Sequence, residues 1–162
     1  MRKVIVNTTP IIALAGIGKL DLLKSLYGKI HIPEAVYNEV KGEPESTILQ
    51  ENLDWICVSS IRDDSQKKMY RAKLHAGEVE VMIMAQEQDA DLVIMDDNAA
   101  RKTARYLGLT VTGTIGVIVR AKKEHLIASA ADVITELMEN GLYVSDEIRQ
   151  IALKEARETQ KI

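Results

Sequence analysis

The chain contains no phenylalanine and a single tryptophan. Its core must therefore be aliphatic, made of Ile, Val, Leu, Ala and Met, a composition that suits parallel strands covered by helices. There is one cysteine, Cys57. No disulfide can form within the chain, and a thiolate metal cluster, which needs several cysteines, is excluded. Cys57 lies in Trp55-Ile-Cys-Val58, which reads as a strand, and is expected to be a small buried hydrophobe. No apolar run approaches the ~18 residues of a membrane span. Met1-Arg-Lys3 is basic, but the apolar run behind it is short and broken by Asn7-Thr-Thr-Pro10. That is no signal peptide, so a cytoplasmic protein is expected. The three histidines, His31, His75 and His125, are widely spaced and show no metal pattern. A Gly-Lys-Ser/Thr phosphate loop, a Gly-x-Gly-x-x-Gly signature and a serine-hydrolase nucleophile motif are all missing.

What remains is an ordinary globular composition. Hydrophobic residues at 46% and charged residues at 28% of 162 positions fit one domain with a sizeable core. The formal net charge of -3 argues against a generally basic nucleic-acid coat. It leaves room for a local basic patch.

Apolar runs alternate with helical periodicity along the chain. Val4-Ile-Val6, Ile30-His-Ile32, Trp55 to Val58, Leu92 to Met95 and Leu109 to Val111 read as five strands. Asn7-Thr-Thr-Pro10 ends the first strand and starts a helix, with Thr8 or Thr9 as N-cap and Pro10 at the first helical position. Pro33 opens a helix through Val36 and Val40. A polar helix is expected over Glu45 to Asn52, and a charged, helix-prone stretch over Asp63 to Leu74. A strong helix follows Gly77, with Met82 and Met84 in the core. Helices over Ala99 to Leu107 and from Gly113 to about His125 complete the pattern, and Gly108 closes the former. This alternation predicts a three-layer α/β/α fold around a parallel sheet of about five strands. Two amphipathic helices end the chain, about Ser129 to Glu139 and Ser145 to Arg157. They read as an appendage (126–162) on a core (1–125) of one domain, or as an oligomer surface.

In an open parallel sheet, ligands bind outside the carboxyl ends of the strands. That edge should carry Asn7-Thr-Thr9, Asp96-Asp97-Asn98 and Thr112-Gly-Thr114. Two adjacent acids at a strand end repel unless neutralised, and their hard oxygens suit Mg²⁺ or Mn²⁺. A capping role at the helix beginning near Asn98 accounts for a lone Asp pair equally well. Glu78 and Glu80 sit where acids favour a helix dipole. Glu39, beside Glu34 and Glu43, reads alone as a solvated face.

Taken together, several ordered segments resemble the PIN domain, a family of metal-dependent ribonucleases. They are Asn7-Thr-Thr-Pro-Ile-Ile12, Ile32-Pro-Glu-Ala-Val-Tyr-Asn-Glu-Val40, His75-Ala-Gly-Glu-Val-Glu-Val81, Ile94-Met-Asp-Asp97 and Gly113-Thr-Ile-Gly-Val117. The resemblance is closest to the branch of PIN-like proteins of uncharacterised function and runs through almost the whole chain. It implies an acidic cluster holding one or two Mg²⁺ or Mn²⁺ ions that hydrolyses RNA phosphodiesters. The family's acids fall on Asn7, Glu39, Glu78 and Asp97, with Asp96 as an adjacent carboxylate and Thr8 and Thr114 as hydroxyl partners. Asn7 stands where the family pattern has Asp. It keeps an oxygen ligand, loses a negative charge, and cannot act as a general base.

Two functional expectations follow. One is a metal-dependent endoribonuclease, a candidate toxin of a toxin–antitoxin pair, with RNA phosphates held by Lys67, Lys68, Arg71 and Lys73 and by Arg101, Lys102 and Arg105. Each basic residue alone reads more readily as part of a solvated helix face, and only Tyr70 and Tyr106 offer stacking among them. The other is a catalytically impaired relative that binds RNA or a protein partner. A small antitoxin-like partner and a homodimer are expectations carried by the family resemblance.

Overall fold

The computed structural model describes residues 2–43, 53–62, 67 and 74–158. Five strands, β1 (Val4–Val6), β2 (Ile30–Pro33), β3 (Ile56–Ser59), β4 (Leu92–Ile94) and β5 (Val111–Thr112), pair in parallel in the order β3-β2-β1-β4-β5. Val4, Ile5 and Val6 lie opposite Leu92, Val93 and Ile94, and Ile5 lies opposite His31. β1 and β4 are buried along their whole length, as strands covered on both faces must be. β3 is an edge strand and only partly covered. Cys57 is consequently half-buried, where the sequence led us to expect a buried position.

Eight helices occur among the described residues: α1 (Thr8–Gly16), α2 (Asp21–Tyr27), α3 (Glu34–Lys41), α4 (Ala76–Glu87), α5 (Asn98–Tyr106), α6 (Thr114–Lys123), α7 (Ala130–Glu139) and α8 (Asp146–Glu155). The result is the α/β/α architecture that the strand–helix alternation predicts. Local chemistry sets several boundaries. Pro33 has extended backbone as the N-cap of α3. Gly28 and Gly108 end α2 and α5 with positive φ, a conformation open to glycine at little cost. Ser129 and Ser145 cap α7 and α8 through their hydroxyl oxygens.

Three boundaries differ from the sequence reading. Asn7, not Thr8 or Thr9, is the N-cap of α1, which places Pro10 at the third helical position. Pro still fits there because the first-turn N–H groups have no partner within the helix. Gly77 lies inside α4, whose N-cap is His75. β5 is Val111–Thr112, two residues beyond the expected start, because its partners Val93 and Ile94 fix the register. The expected helix over Glu45 to Asn52 lies outside the described residues, as does the Asp63 to Leu74 stretch apart from Lys67 and Leu74.

α4 is buried almost all round, against α3 and the sheet, with Met82 and Met84 fully enclosed. α7 and α8 pack on α6, and Val133, Ile134, Leu137 and Ala152 join the same continuous core as the sheet. Glu158 fastens this corner. Its carboxylate accepts from the Ala130 and Ala131 N–H groups at 2.6 and 3.1 Å and lies 3.5 Å from Lys122 on α6.

Candidate functional site

The chain leaves β1 toward β2 on one side, while β4 lies on the other. The switch in strand order therefore falls between β1 and β4, where open sheets leave a crevice at their carboxyl edge. Asn7 and Asp96-Asp97 flank that point, and the Asn7 N–H continues the sheet by donating to the Ile94 carbonyl at 2.9 Å. Every helix that follows a strand here starts at this edge. Its unpaired N–H groups and positive dipole end favour carboxylates.

The acids use that property one by one. Asp97 caps α5, its Oδ1 accepting from the Ala100 N–H at 2.9 Å. Asp96 binds the start of α6: Oδ1 accepts from the Thr114 N–H at 2.7 Å and Oδ2 from the Thr114 hydroxyl at 2.6 Å. Glu39 reaches across from α3. Its Oε1 accepts from the Gly77 N–H at 2.8 Å and its Oε2 from the Thr8 hydroxyl at 2.6 Å. Glu78 accepts from the His75 N–H at 2.9 Å. Glu80 turns away from this group, accepting from the Ala35 N–H at the start of α3 and pairing with Lys67 at 3.2 Å.

Glu78 is buried, and its burial raises the carboxyl above its ordinary value against the lowering effect of the His75 N–H. The charges of Asp97 and Glu39 raise it further. Two acids indicated by the family resemblance, Glu39 on α3 and Asp97 at the end of β4, therefore act on a third, Glu78 on α4. Asp96 instead points its hydrogen bonds at Thr114, which is fully buried.

Asn7 is the most informative side chain. An N-cap Asn ordinarily accepts an N–H from the first helical turn. Asn7 makes no such bond; its Oδ1 is buried and has no partner among the described residues. Leaving a buried acceptor unsatisfied costs about 1–3 kcal/mol, so an orphan oxygen at a ligand-binding edge needs an explanation. A bound cation provides one. The available donors are all oxygens, hard ligands of the kind Mg²⁺ and Mn²⁺ take. They fit such an ion in kind and in sign. Among the described residues, however, no three His, Cys, Asp or Glu side chains are gathered closely enough to form a cluster unaided.

The basic residues are distributed unevenly. Arg101 is half-buried beside Asp96 and Gly113, while Lys102 and Arg105 are exposed on α5. Lys67 is taken up by Glu80. Lys68, Arg71 and Lys73 lie outside the described residues, and so does Tyr70. The sequence did not single out Gly77 or Gly113. A Cβ at Gly77 would sit 2.6 Å from Glu39 Oε1, and one at Gly113 would sit 2.7 Å from Asp96 Oδ1. A glycine at the start of a helix that begins at a carboxylate-rich edge, as second residue in α4 and as N-cap in α6, was the available signal.

No helix among the described residues is long and apolar enough to cross a membrane. Among curated proteins, none matches the chain. A family model described as PIN domain matches residues 3–158. With that match spanning nearly all of the chain and an all-parallel sheet carrying acids at its switch point, the protein belongs to the PIN-domain family, a nuclease-type family that generally uses divalent metal ions.

Proposed function

We propose that the protein is a Mg²⁺- or Mn²⁺-dependent endoribonuclease that hydrolyses RNA phosphodiester bonds. The observation that carries this reading is the buried Asn7 Oδ1, without a partner among the described residues, at the same edge as Glu78 and the two acids that act on it, Asp97 and Glu39. Asn7, Glu39, Glu78 and Asp97 would hold the ion, with Asp96 as a further carboxylate in reserve. When bound, the ion supplies Lewis-acid activation of water and offsets charge on the phosphate oxygens. The chain's own part is positioning. Thr8 and Gly77 fix both oxygens of Glu39, Ala100 fixes Asp97, and Thr114 fixes Asp96. Arg101 and Lys102 anchor the substrate's phosphates, which supplies affinity without reading sequence.

The reading extends to a cytoplasmic toxin blocked by a small antitoxin-like protein in the acidic groove. It also extends to a homodimer that covers the exposed Leu126 and Met138.

A second reading is favoured by one specific observation. The residue at the family's first acid is the neutral Asn7, and the remaining acids already serve as helix caps. On that reading the protein is a catalytically impaired module that binds RNA or a protein partner.

Purified protein incubated with a mixture of structured and single-stranded RNA separates the two. The nuclease reading expects cleavage with Mn²⁺ or Mg²⁺ that stops in chelator and is lost in Asp97→Asn. A native protein that leaves RNA intact, beside an Asn7→Asp variant that cuts it, would establish the impaired module.

A further inference from the structure

Next to the acids lies a cavity of about 380 Å³, enclosed by the ends of β4 and β5 on one side and by α8 with the segment before it on the other. That is the size of a site for one small organic molecule, at the lower end of the ~300–1,000 Å³ range. Its walls divide by chemistry. Ile115, Ile148 and Ile151 form the apolar part, while Arg101 and Ser145 supply polar groups and Tyr143 stands at the wall. Tyr143 is 88% exposed, and Ile148 and Ile151 are each nearly half exposed. An aromatic ring and two large aliphatic chains are thus left in water around one concavity.

Arg101 gives the cavity its sign. Its Nε is buried without a partner, and it forms no ion pair among the described residues. A guanidinium stays charged at any physiological pH, and its forked donors match a phosphate. Asp96 shares the cavity, but both its oxygens are engaged by Thr114. Glu155 also lines it, on the last turn of α8, and disfavours an anion at that end. A ligand that is anionic at the Arg101 end and flat and apolar at the isoleucine end matches Arg101 and the apolar wall and keeps its charge away from Glu155.

We propose that this cavity is a nucleotide subsite, with a phosphate on Arg101 and the attached base against Tyr143, Ile148 and Ile151. The proposal rests on the nuclease reading for its place in the reaction. Asp96 lines the cavity and Asp97, the next residue, belongs to the acid group, so the subsite takes a nucleotide adjoining the phosphate to be cut. Stacking tolerates any base, so the subsite positions the strand and discriminates little among sequences.

Calorimetric titration of the full chain with AMP, in chelator, tests this apart from catalysis, with ribose 5-phosphate as the base-free comparison. AMP should bind, ribose 5-phosphate should bind at least about tenfold more weakly, and Tyr143→Ala should cost AMP about tenfold, the scale of one base–aromatic stack. Arg101→Gln should weaken both ligands. Because Arg101 abuts Asp96, the exposed Tyr143 provides the variant that leaves folding alone. Equal affinity for the two ligands, an unchanged Tyr143→Ala titration, or no AMP binding alongside self-association lost in Ile151→Asp would each overturn the proposal. AMP binding of the expected pattern in a protein that never cuts RNA leaves the subsite standing and removes the nuclease reading. Cutting without that binding does the reverse.

Discussion

The Gly77 N–H donates to Glu39 Oε1 at 2.8 Å, and a Cβ placed on Gly77 would meet that same oxygen at 2.6 Å. The contact exists because residue 77 has no side chain. Gly77→Ala must therefore displace Glu39 or shift the start of α4, and displacing Glu39 also strips the Thr8 hydroxyl of its acceptor. We expect stability to change by no more than about 1 kcal/mol, since the group that must move is the end of a flexible side chain and alanine favours a helix over glycine by a similar amount. We also expect a fall in metal-dependent cleavage of about 10–100-fold, typical when a ligand's supporting contact is removed. Thermal melts and cleavage rates on one preparation check both, and native-like cleavage by the alanine variant would mean that Glu39 takes no part.

Asn7→Asp restores a charge where an acceptor now lies buried and, among the described residues, unpartnered. In chelator the variant should be less stable than the native chain, because it buries a new, unneutralised charge at an edge that already carries Glu39, Glu78 and Asp97. With Mn²⁺ the order should reverse. A tenfold gain in ion affinity corresponds to about 1.4 kcal/mol, or a further rise in Tm of about 3–6 °C for a domain of this size. Melts across a Mn²⁺ series measure it; parallel curves for the two proteins would remove Asn7 from the ligand set.

Glu78 sets a pH dependence of defined sign. Its folded-state carboxyl is raised, first by burial and then by Asp97 and Glu39, against the lowering bond from His75. Between its ordinary value near 4.5 and the raised one, the folded state binds more protons than the unfolded state. Stability from this group thus falls as pH rises through that window. In chelator, Glu78→Gln should melt a few degrees higher than native at pH 7, and the gap should close below about pH 4. A gap that stays constant with pH would show that the folded-state carboxyl of Glu78 is not raised.

Glu158 has the opposite sign. Burial alone would raise it, but the Ala130 and Ala131 N–H groups, Lys122 and the Ser129 hydroxyl together lower it. Its contribution is present above the ordinary value near 4.5 and is lost as pH falls through the depressed one. Glu158→Ala should cost about 1–2 kcal/mol, the scale of a lost helix cap, and lower Tm by about 3–6 °C at pH 7. Melts at pH 7 and pH 3 test this, with the difference shrinking at the acid end.

Much of the fold was legible because its signals are local. Pro33, Gly28, Gly108, Ser129 and Ser145 mark helix ends by chemistry that acts within a few residues, and the structure places helix ends at each. Asn7 was harder to read, since a following Thr-Thr-Pro offers a better-looking cap one or two residues later. The sheet decides the matter by drawing the Asn7 N–H onto Ile94. Glu39 and Glu80 show where local reading ends. Each looks like a solvated or dipole-favouring acid, yet Glu39 spans 38 residues to Gly77 and Glu80 spans 45 to Ala35. Only the family pattern brought Glu39 to the site, and nothing in the spacing pointed to Gly77 as its partner. The cavity beside Arg101 was similarly hidden, because its walls come from α5, α6 and α8.

The place of β1 in the sheet has a consequence for how the chain acquires its shape. Of the sheet's five strands the central one is synthesised before the others, and its pairing with β4 joins Val4 to Leu92. Until the ribosome has released residue 94, Val4-Ile-Val6 has a neighbour on one side only, and an apolar strand with an open flank is prone to wrong pairings. Closing that long loop costs chain entropy before the contact is made, so formation of the β1–β4 pair should limit the folding rate. The acid-bearing edge cannot exist earlier, because its switch point is that same pair.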